Sequence, residues 1–322
     1  MSARTLPFTC RIVDRLLRRT RMMAHMREAR RVLAMPPIVP PDDGVVILSM
    51  IGTRTVLPYL VAVKSFHHRL RMGRIVLIDD GSLTEADRRT LARHCGQPRI
   101  IPISTVDTGE CPRGGTWERL LTLLDLRRDA YVIQLDSDTL TLAEMPEVRA
   151  AIADNRNFIL LGAPDSEVMG IQRLPDFVRW KYPDGPIDPP AHMQAVIESR
   201  FGGYPEADRH SYVRASSGFA GFARGGPSGR AEAATFSRHV QALVGAEIWT
   251  RWGSEQITSN FLLSNEPESR LLPYALYSNY WRLPVTGDER LVHFVGTHRY
   301  SDSVYRGMTR RAIDMLMQAD AK

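Results

Sequence analysis

Short β-branched runs alternate with stretches of helical period along most of the chain. Residues 45–50, 75–78, 99–103, 131–135 and 158–161 read as strands, each a largely apolar run of four to six residues. Helical periods fill the gaps at 55–67, 84–95 and 115–126, with Ser82 or Thr84 available to cap the second. A glycine-spaced strand follows at 216–222, then helices at 231–244 and 254–263 and a last apolar run at 291–295. Strand and helix in alternation predict an α/β sheet domain rather than a bundle or a sandwich. The chain holds no internal repeat and no low-complexity tract.

Two stretches depart from this rhythm. Near the start, Ile12, Leu16, Met23, Met26 and Leu33 recur at helical spacing among arginines, and the proline run at 35–41 ends the segment. Residues 1–40 are therefore expected as a basic amphipathic helix and linker, ahead of a domain over 41–310 and a tail over 311–322. Packing on its own domain with a solvated arginine face is the first reading of such a helix; an anionic membrane surface, a partner or an acidic polymer is the alternative. Residues 164–214 are rich in proline and aromatics with little periodicity, which suggests an insertion of functional loop type. There Trp180, Tyr182, Phe201 and Tyr204 either offer a sugar-stacking surface or anchor the loop.

Charge sharpens this division. The net charge of +6 resides in the first segment, where nine arginines oppose Asp14 and Glu28, and the remaining 282 residues carry −1. A basic excess confined to one terminal segment argues against a nucleic-acid partner, since the rest of the chain is nearly neutral in net charge. No apolar stretch reaches the ~20 residues that a bilayer-spanning helix needs. Cys10, Cys95 and Cys111 have no zinc or redox spacing, and the N-terminus lacks the order of a signal peptide. A cytoplasmic location is expected, with peripheral contact to the inner membrane face through residues 10–34 as an option.

The chemistry-bearing residues sit at strand ends. The strand at 131–135 runs into Asp136-Ser-Asp138. In open α/β sheets ligands bind beyond the carboxyl ends of the strands, where two carboxylates can hold a hard divalent cation against a diphosphate. A solvated Asx turn is the plainer reading. A second strand ends in Asp79-Asp80-Gly81-Ser82, where a carboxylate can accept hydrogen bonds from a base or ribose and the glycine lets backbone approach closely. Alternatively this is a simple βα turn with a cap.

The order of these motifs resembles the metal-dependent GT-A glycosyltransferases, and nearest among them the glycogenin-like branch. The Asp79-Asp80 turn is similar to the nucleoside-binding turn of such enzymes. Thr116-Trp-Glu-Arg-Leu-Leu121 ahead of Asp136-x-Asp138 looks like that branch's Arg-Leu helix and DxD, which implies that Arg119 faces the donor. Ser217-Gly-Phe-Ala-Gly221 resembles the strand that lines the sugar site, so Ser217 and Gly218 are implied donor contacts. Trp252-Gly-Ser-Glu-Gln256 is similar to the acidic-Gln helix start, with Glu255 implied as an acceptor contact or base. Val292-His-Phe-Val-Gly-Thr-His-Arg299 resembles the branch's His-x-x-Gly-x-x-Lys motif. By that resemblance His293 is the third metal ligand beside Asp136 and Asp138, Gly296 the close-approach residue, and His298 or Arg299 the diphosphate contact in place of the missing lysine.

What the resemblance implies is a GT-A-like mixed central sheet flanked by helices, using Mn²⁺ or Mg²⁺. The activity is transfer of a sugar, of hexosyltransferase type, from a nucleoside-diphosphate sugar to a glycan, lipid-linked or protein acceptor. Two rivals remain. The run from Val45 to Arg54 looks superficially like the loop of sugar-phosphate nucleotidyltransferases, although Ser49, Met50 and Ile51 stand where glycines are needed. A non-catalytic nucleotide-sugar or carbohydrate-binding protein is the other; it would have no need of a metal at a leaving group. A nucleophile-based hydrolase finds no Gly-x-Ser-x-Gly and no cysteine with an assignable histidine.

Overall fold

The computed structural model describes residues 8–296 and 298–320, with side chains from Val13 to Ala319. Arg4 of the basic segment, Thr297 of the late histidine motif and the last two residues of the expected tail lie outside the described residues, as do the side chains of Cys10, Arg11 and Ile12.

In chain order, α1 (Phe8–Ala29) precedes β1 (Val45–Ile51), α2 (Val56–Leu70), β2 (Arg74–Asp79), α3 (Glu85–His94), β3 (Arg99–Pro102), α4 (Trp117–Leu126) and β4 (Tyr131–Leu135). Then come β5 (Thr139–Thr141), α5 (Pro146–Ala153), β6 (Phe158–Leu161), α6 (Pro164–Met169), β7 (Gln172–Arg173), α7 (Leu174–Lys181), α8 (Met193–Glu198) and β8 (Ser211–Tyr212). The chain continues with β9 (Ala215–Phe222), α9 (Arg230–Val244), α10 (Ala246–Trp249), α11 (Ser254–Ser264), β10 (Arg270–Leu271), β11 (Tyr277–Asn279), β12 (Leu291–His293) and α12 (Val304–Asp320).

A seven-stranded sheet in the order β10-β6-β9-β4-β1-β2-β3 forms the centre. All its strands run one way except β9, which pairs antiparallel with both β4 and β6. This is the expected α/β class with a mixed sheet flanked by helices. Because successive strand residues point to opposite faces, β1 divides its side chains between two cores. Val45, Ile47 and Ile51 join α2 and α12 on one face, while Val46 and Leu48 join α4, α9 and α11 on the other. Thr84 caps α3 by accepting from the Asp87 N–H at 3.2 Å. Strand order reverses between β1 and β4, and the carboxyl edge at such a reversal is where ligands bind in open α/β sheets.

A smaller sheet, β11-β12-β5, lies beside that edge. Its β5 begins directly after Asp138, and its register sets His293 opposite Thr139 on one side and Asn279 on the other. Residues 164–214, which lack a sequence period, hold three short α-helices, two single 3-10 turns and the β7–β8 pair. Tyr182, Phe201 and Tyr204 are buried in their aromatic cluster and act as anchors, whereas Trp180 is exposed. Residues 311–320 continue α12 as a helix. Against it lies α1: the His25 ring stacks on Tyr305 at 3.9 Å and its Nε2 meets Thr309 Oγ1 at 3.0 Å.

Candidate functional site

β4 is buried along its whole length between β1 and β9, and it delivers Asp136 to the carboxyl edge. The Asp136 N–H donates to the Gly218 carbonyl at 2.8 Å, tying the turn to β9. Phe294 N–H donates to the Asp138 carbonyl at 2.8 Å, which ties the same turn to the end of β12. The two ladders together bring Asp136, Asp138 and His293 into one group, with ligand atoms all within 4.8 Å of one another. His293 Nε2 lies 3.3 Å from Asp138 and 3.7 Å from Asp136.

The imidazole is oriented from behind. Its Nδ1 meets Asn279 Oδ1 at 2.8 Å and Ser216 Oγ at 3.1 Å. An acceptor at Asn279 puts the ring proton on Nδ1, which leaves the Nε2 lone pair aimed at two carboxylates. That arrangement is repulsive unless a proton or a cation lies between, so the donor set fits a hard or borderline divalent ion. Burial alone would lower the His293 pKa, but Asp138 and then Asp136 outweigh it and raise it. Asp138 responds in mirror image: burial pushes it up, yet Arg299 and His293 hold it below the usual carboxylate range. Gly218 is what makes room for the ring, because a Cβ there would overlap all the ring's polar atoms.

Two arginines flank the carboxylates. Arg119, buried on α4, pairs with Asp136 and reaches Glu255 at 3.5 Å and Ser217 Oγ at 3.3 Å. Arg299 Nη2 lies 2.6 Å from Asp138. A Cβ at Gly296 would stand 3.2 Å from that guanidinium, so Gly296 is a close-approach residue toward Arg299 itself. His298 stands apart from the triad, its ring edge-on to Trp281 at 5.7 Å, and burial with Arg282 and Arg18 nearby lowers its pKa.

Glu255 is closed off from solvent, with 1% exposure. It accepts from Thr116 Oγ1 at 2.8 Å and from Ser217 Oγ at 3.3 Å. Burial pushes its carboxyl up, against the opposing pull of Arg119 and Thr116. Thr116 holds φ at 75°, a left-handed conformation that a β-branched residue adopts only at a cost. The strained turn is thereby fixed to the acid at the start of α11.

The turn after β2 divides its two acids. Asp79 is buried, with Oδ1 accepting from Gly81 N–H and Leu83 N–H and its other oxygen paired to Arg88. Asp80 is exposed and accepts from the Ser82 N–H at 2.9 Å. Asp79 shapes the turn, and Asp80 is the acid that remains open to a ligand. The region after β1 offers no phosphate cradle: the strand extends to Ile51, Thr53 N–H donates to Ser82 Oγ, and Thr55 N–H donates to the Gly52 carbonyl.

Sequence reasoning missed Asn279, Thr116 and Arg88, which orient His293, Glu255 and Asp79. Asn279 carries no local signal, since its role exists only through the β11–β12 register. Among described residues no helix is long and apolar enough to cross a membrane.

No known protein family matches the chain by sequence, and no curated protein matches it. Solved structures similar to it include the galactosyltransferase LgtC with donor and acceptor sugar analogs, at 13% identity and TM-score 0.46, covering 84% of this chain and 95% of that one. Mouse xyloside xylosyltransferase 1 in its apo form gives 15% identity and TM-score 0.45 over 81% of this chain and 99% of that one. Core-mannan synthase A from Aspergillus fumigatus, in an Mn/GDP form, gives 9% identity and TM-score 0.42 over 74% and 75%.

Proposed function

We propose that this chain is a metal-dependent glycosyltransferase of the GT-A type, nearest the glycogenin-like branch, taking a nucleoside-diphosphate sugar as donor. The observation that supports this most is the convergence of Asp136, Asp138 and His293 at the switch-point edge, with His293 turned by Asn279 so that its free nitrogen faces the carboxylates. In this reading those three side chains hold Mn²⁺ or Mg²⁺. A divalent cation so held neutralises charge on a departing diphosphate.

The protein's own groups then take defined parts. Of His298 and Arg299, the residue placed to meet the diphosphate is Arg299, which does so by exchanging Asp138 for phosphate oxygens, to which a guanidinium fork is matched. Asp80, on the turn that Asp79 shapes, binds the nucleoside. Ser217 and Gly218 line the sugar side. Glu255 is almost wholly buried, so we assign it to holding Arg119, Thr116 and Ser217 in place rather than to accepting an acceptor's proton. The acceptor, be it a glycan, a lipid-linked sugar or a protein, approaches from the side of 164–214. The nucleotidyltransferase reading loses its support with the N–H groups after β1 engaged within the protein.

The test is a thermal-shift panel of UDP, GDP, CDP, ADP and dTDP with Mn²⁺, each repeated with EDTA. Ligand that binds the native state alone raises apparent stability by mass action. One nucleotide should shift the transition only with metal, and metal-dependent donor hydrolysis should vanish in Asp138→Ala. Shifts indifferent to EDTA, or hydrolysis unchanged in that variant, would remove the metal site from the reading. Nucleotide binding without any hydrolysis or transfer would favour the non-catalytic binding protein.

A further inference from the structure

One face of α1 is fastened to the domain. His25 reaches Thr309, Arg18 donates to Ser301 Oγ at 3.3 Å, Arg21 donates to the Ser301 carbonyl, and Glu28 is held by Arg31 and Arg310. The opposite face should be polar if it met only water. Instead Val13, Leu16 and Met23 are exposed at 54%, 58% and 54%, with Leu17 beside them. Positions 13, 16, 20 and 23 form one stripe at helical spacing, and Thr20 turns its hydroxyl onto the Leu16 carbonyl at 2.7 Å.

Arginine borders this stripe. Arg15, Arg19, Arg27 and Arg30 are exposed around it, and Asp14 is the one exposed acid between Val13 and Arg31. A second copy of the helix would set arginine against arginine with almost no acid to answer it. A soluble polyanion would satisfy the charge but leave the apolar stripe in water. A lipid surface with anionic headgroups satisfies both, because apolar side chains sink below the headgroups while arginines stay among them.

We propose that α1 docks the protein flat on an anionic membrane surface through Val13, Leu16, Leu17 and Met23, with Arg15, Arg19 and Arg27 on lipid phosphates. This docking is independent of the glycosyl-transfer reading. The docked helix is also the element that grips Ser301, two residues beyond Arg299.

The test is flotation of the full chain with vesicles of phosphatidylcholine containing about one-third phosphatidylglycerol, against phosphatidylcholine alone. The protein should float with the anionic vesicles, less so at high salt, and not with the neutral ones. Leu16→Glu with Met23→Glu should weaken flotation ~10-fold or more while leaving the melting temperature and any metal-dependent nucleotide shift unchanged, since both positions are exposed. Arg15→Glu with Arg19→Glu is the second variant and should weaken it as well. The proposal is overturned if the wild type does not float. It is also overturned if both variants float as well as the wild type, or if Leu16→Glu with Met23→Glu abolishes a dimer seen by light scattering. Heparin retention that survives the apolar substitutions without flotation would identify a soluble polyanion instead.

Discussion

Two buried arginines belong to the two ends of α4, and their surroundings differ. Arg127, at the C-terminal end, is saturated: Nε and Nη2 donate to the Ala223 carbonyl, Nη1 to the Ser228 carbonyl, and both terminal nitrogens meet Glu266, which also accepts from Asn157. Both partners of that pair are only 1% exposed. Arg119, at the N-terminal end, is shared between Asp136 and Glu255, and Asp136 keeps 28% of its side chain in solvent. One cluster has its charges balanced and sealed; the other mixes three acids, two arginines and a histidine and opens at one corner. A sealed pair fixes structure, whereas an open cluster can exchange partners with a ligand.

Breaking the sealed pair should cost most. Glu266→Ala leaves a buried guanidinium unpaired and should destabilise the fold by about 3–5 kcal/mol in denaturant titration. Metal affinity of the molecules still folded should be unchanged. The next effect lies between these extremes, at a buried group without charge. Burial, aided by Arg299, lowers the His25 pKa from 6.5 to about 4. The folded state thus prefers the neutral ring: its stabilisation is complete above the unfolded pKa and is lost as pH falls from 6.5 toward 4. The loss amounts to up to about 3 kcal/mol, and His67, lowered to about 4 by burial, adds to it with the same sign. Melting curves at neutral pH and near pH 4.5 should show a smaller acid loss in His25→Asn than in the wild type.

Smaller effects sharpen the open cluster. Asn279→Ala frees the His293 ring and should weaken Mn²⁺ binding ~10–100-fold in a calorimetric titration, with modest change in stability. Asp136→Asn should alter unfolding free energy less than Glu266→Ala, by about 1–2 kcal/mol, because 28% of the Asp136 side chain is in solvent and Glu255 still faces the buried Arg119 guanidinium. It should still abolish Mn²⁺ binding. A stability loss in Asp136→Asn equal to that of Glu266→Ala would erase the distinction between the clusters.

What could be read from the sequence follows how local each cause is. The central strands and α2, α4 and α9 are set by runs of apolar residues, and their extents depart from the pattern by a few residues at most. Asp136 and Asp138 were legible because the buried strand before them is written in one apolar run. His293 was legible only through motif order, since nothing within several residues of it speaks of a metal. Asn279 and Thr116 act through contacts across distant segments, and no local pattern encodes such register. The stretch 164–214 hid its helices because they are short and owe their place to the Phe177, Phe201, Tyr212 and Phe236 rings packing together. The terminal stretch 311–320 belongs to a helix because α1 and α2 cover it.

We propose that Asp136, Asp138 and His293 form a cation site that serves a nucleoside diphosphate. Direct titration with Mn²⁺ followed by electron paramagnetic resonance, with and without the nucleotide selected by thermal shift, tests it most closely. The account predicts bound Mn²⁺ in the wild type, tightened by that nucleotide, and none at this site in Asp138→Asn or His293→Ala variants that remain folded. Equal Mn²⁺ binding in the wild type and both variants, or nucleotide affinity indifferent to the metal, would contradict it.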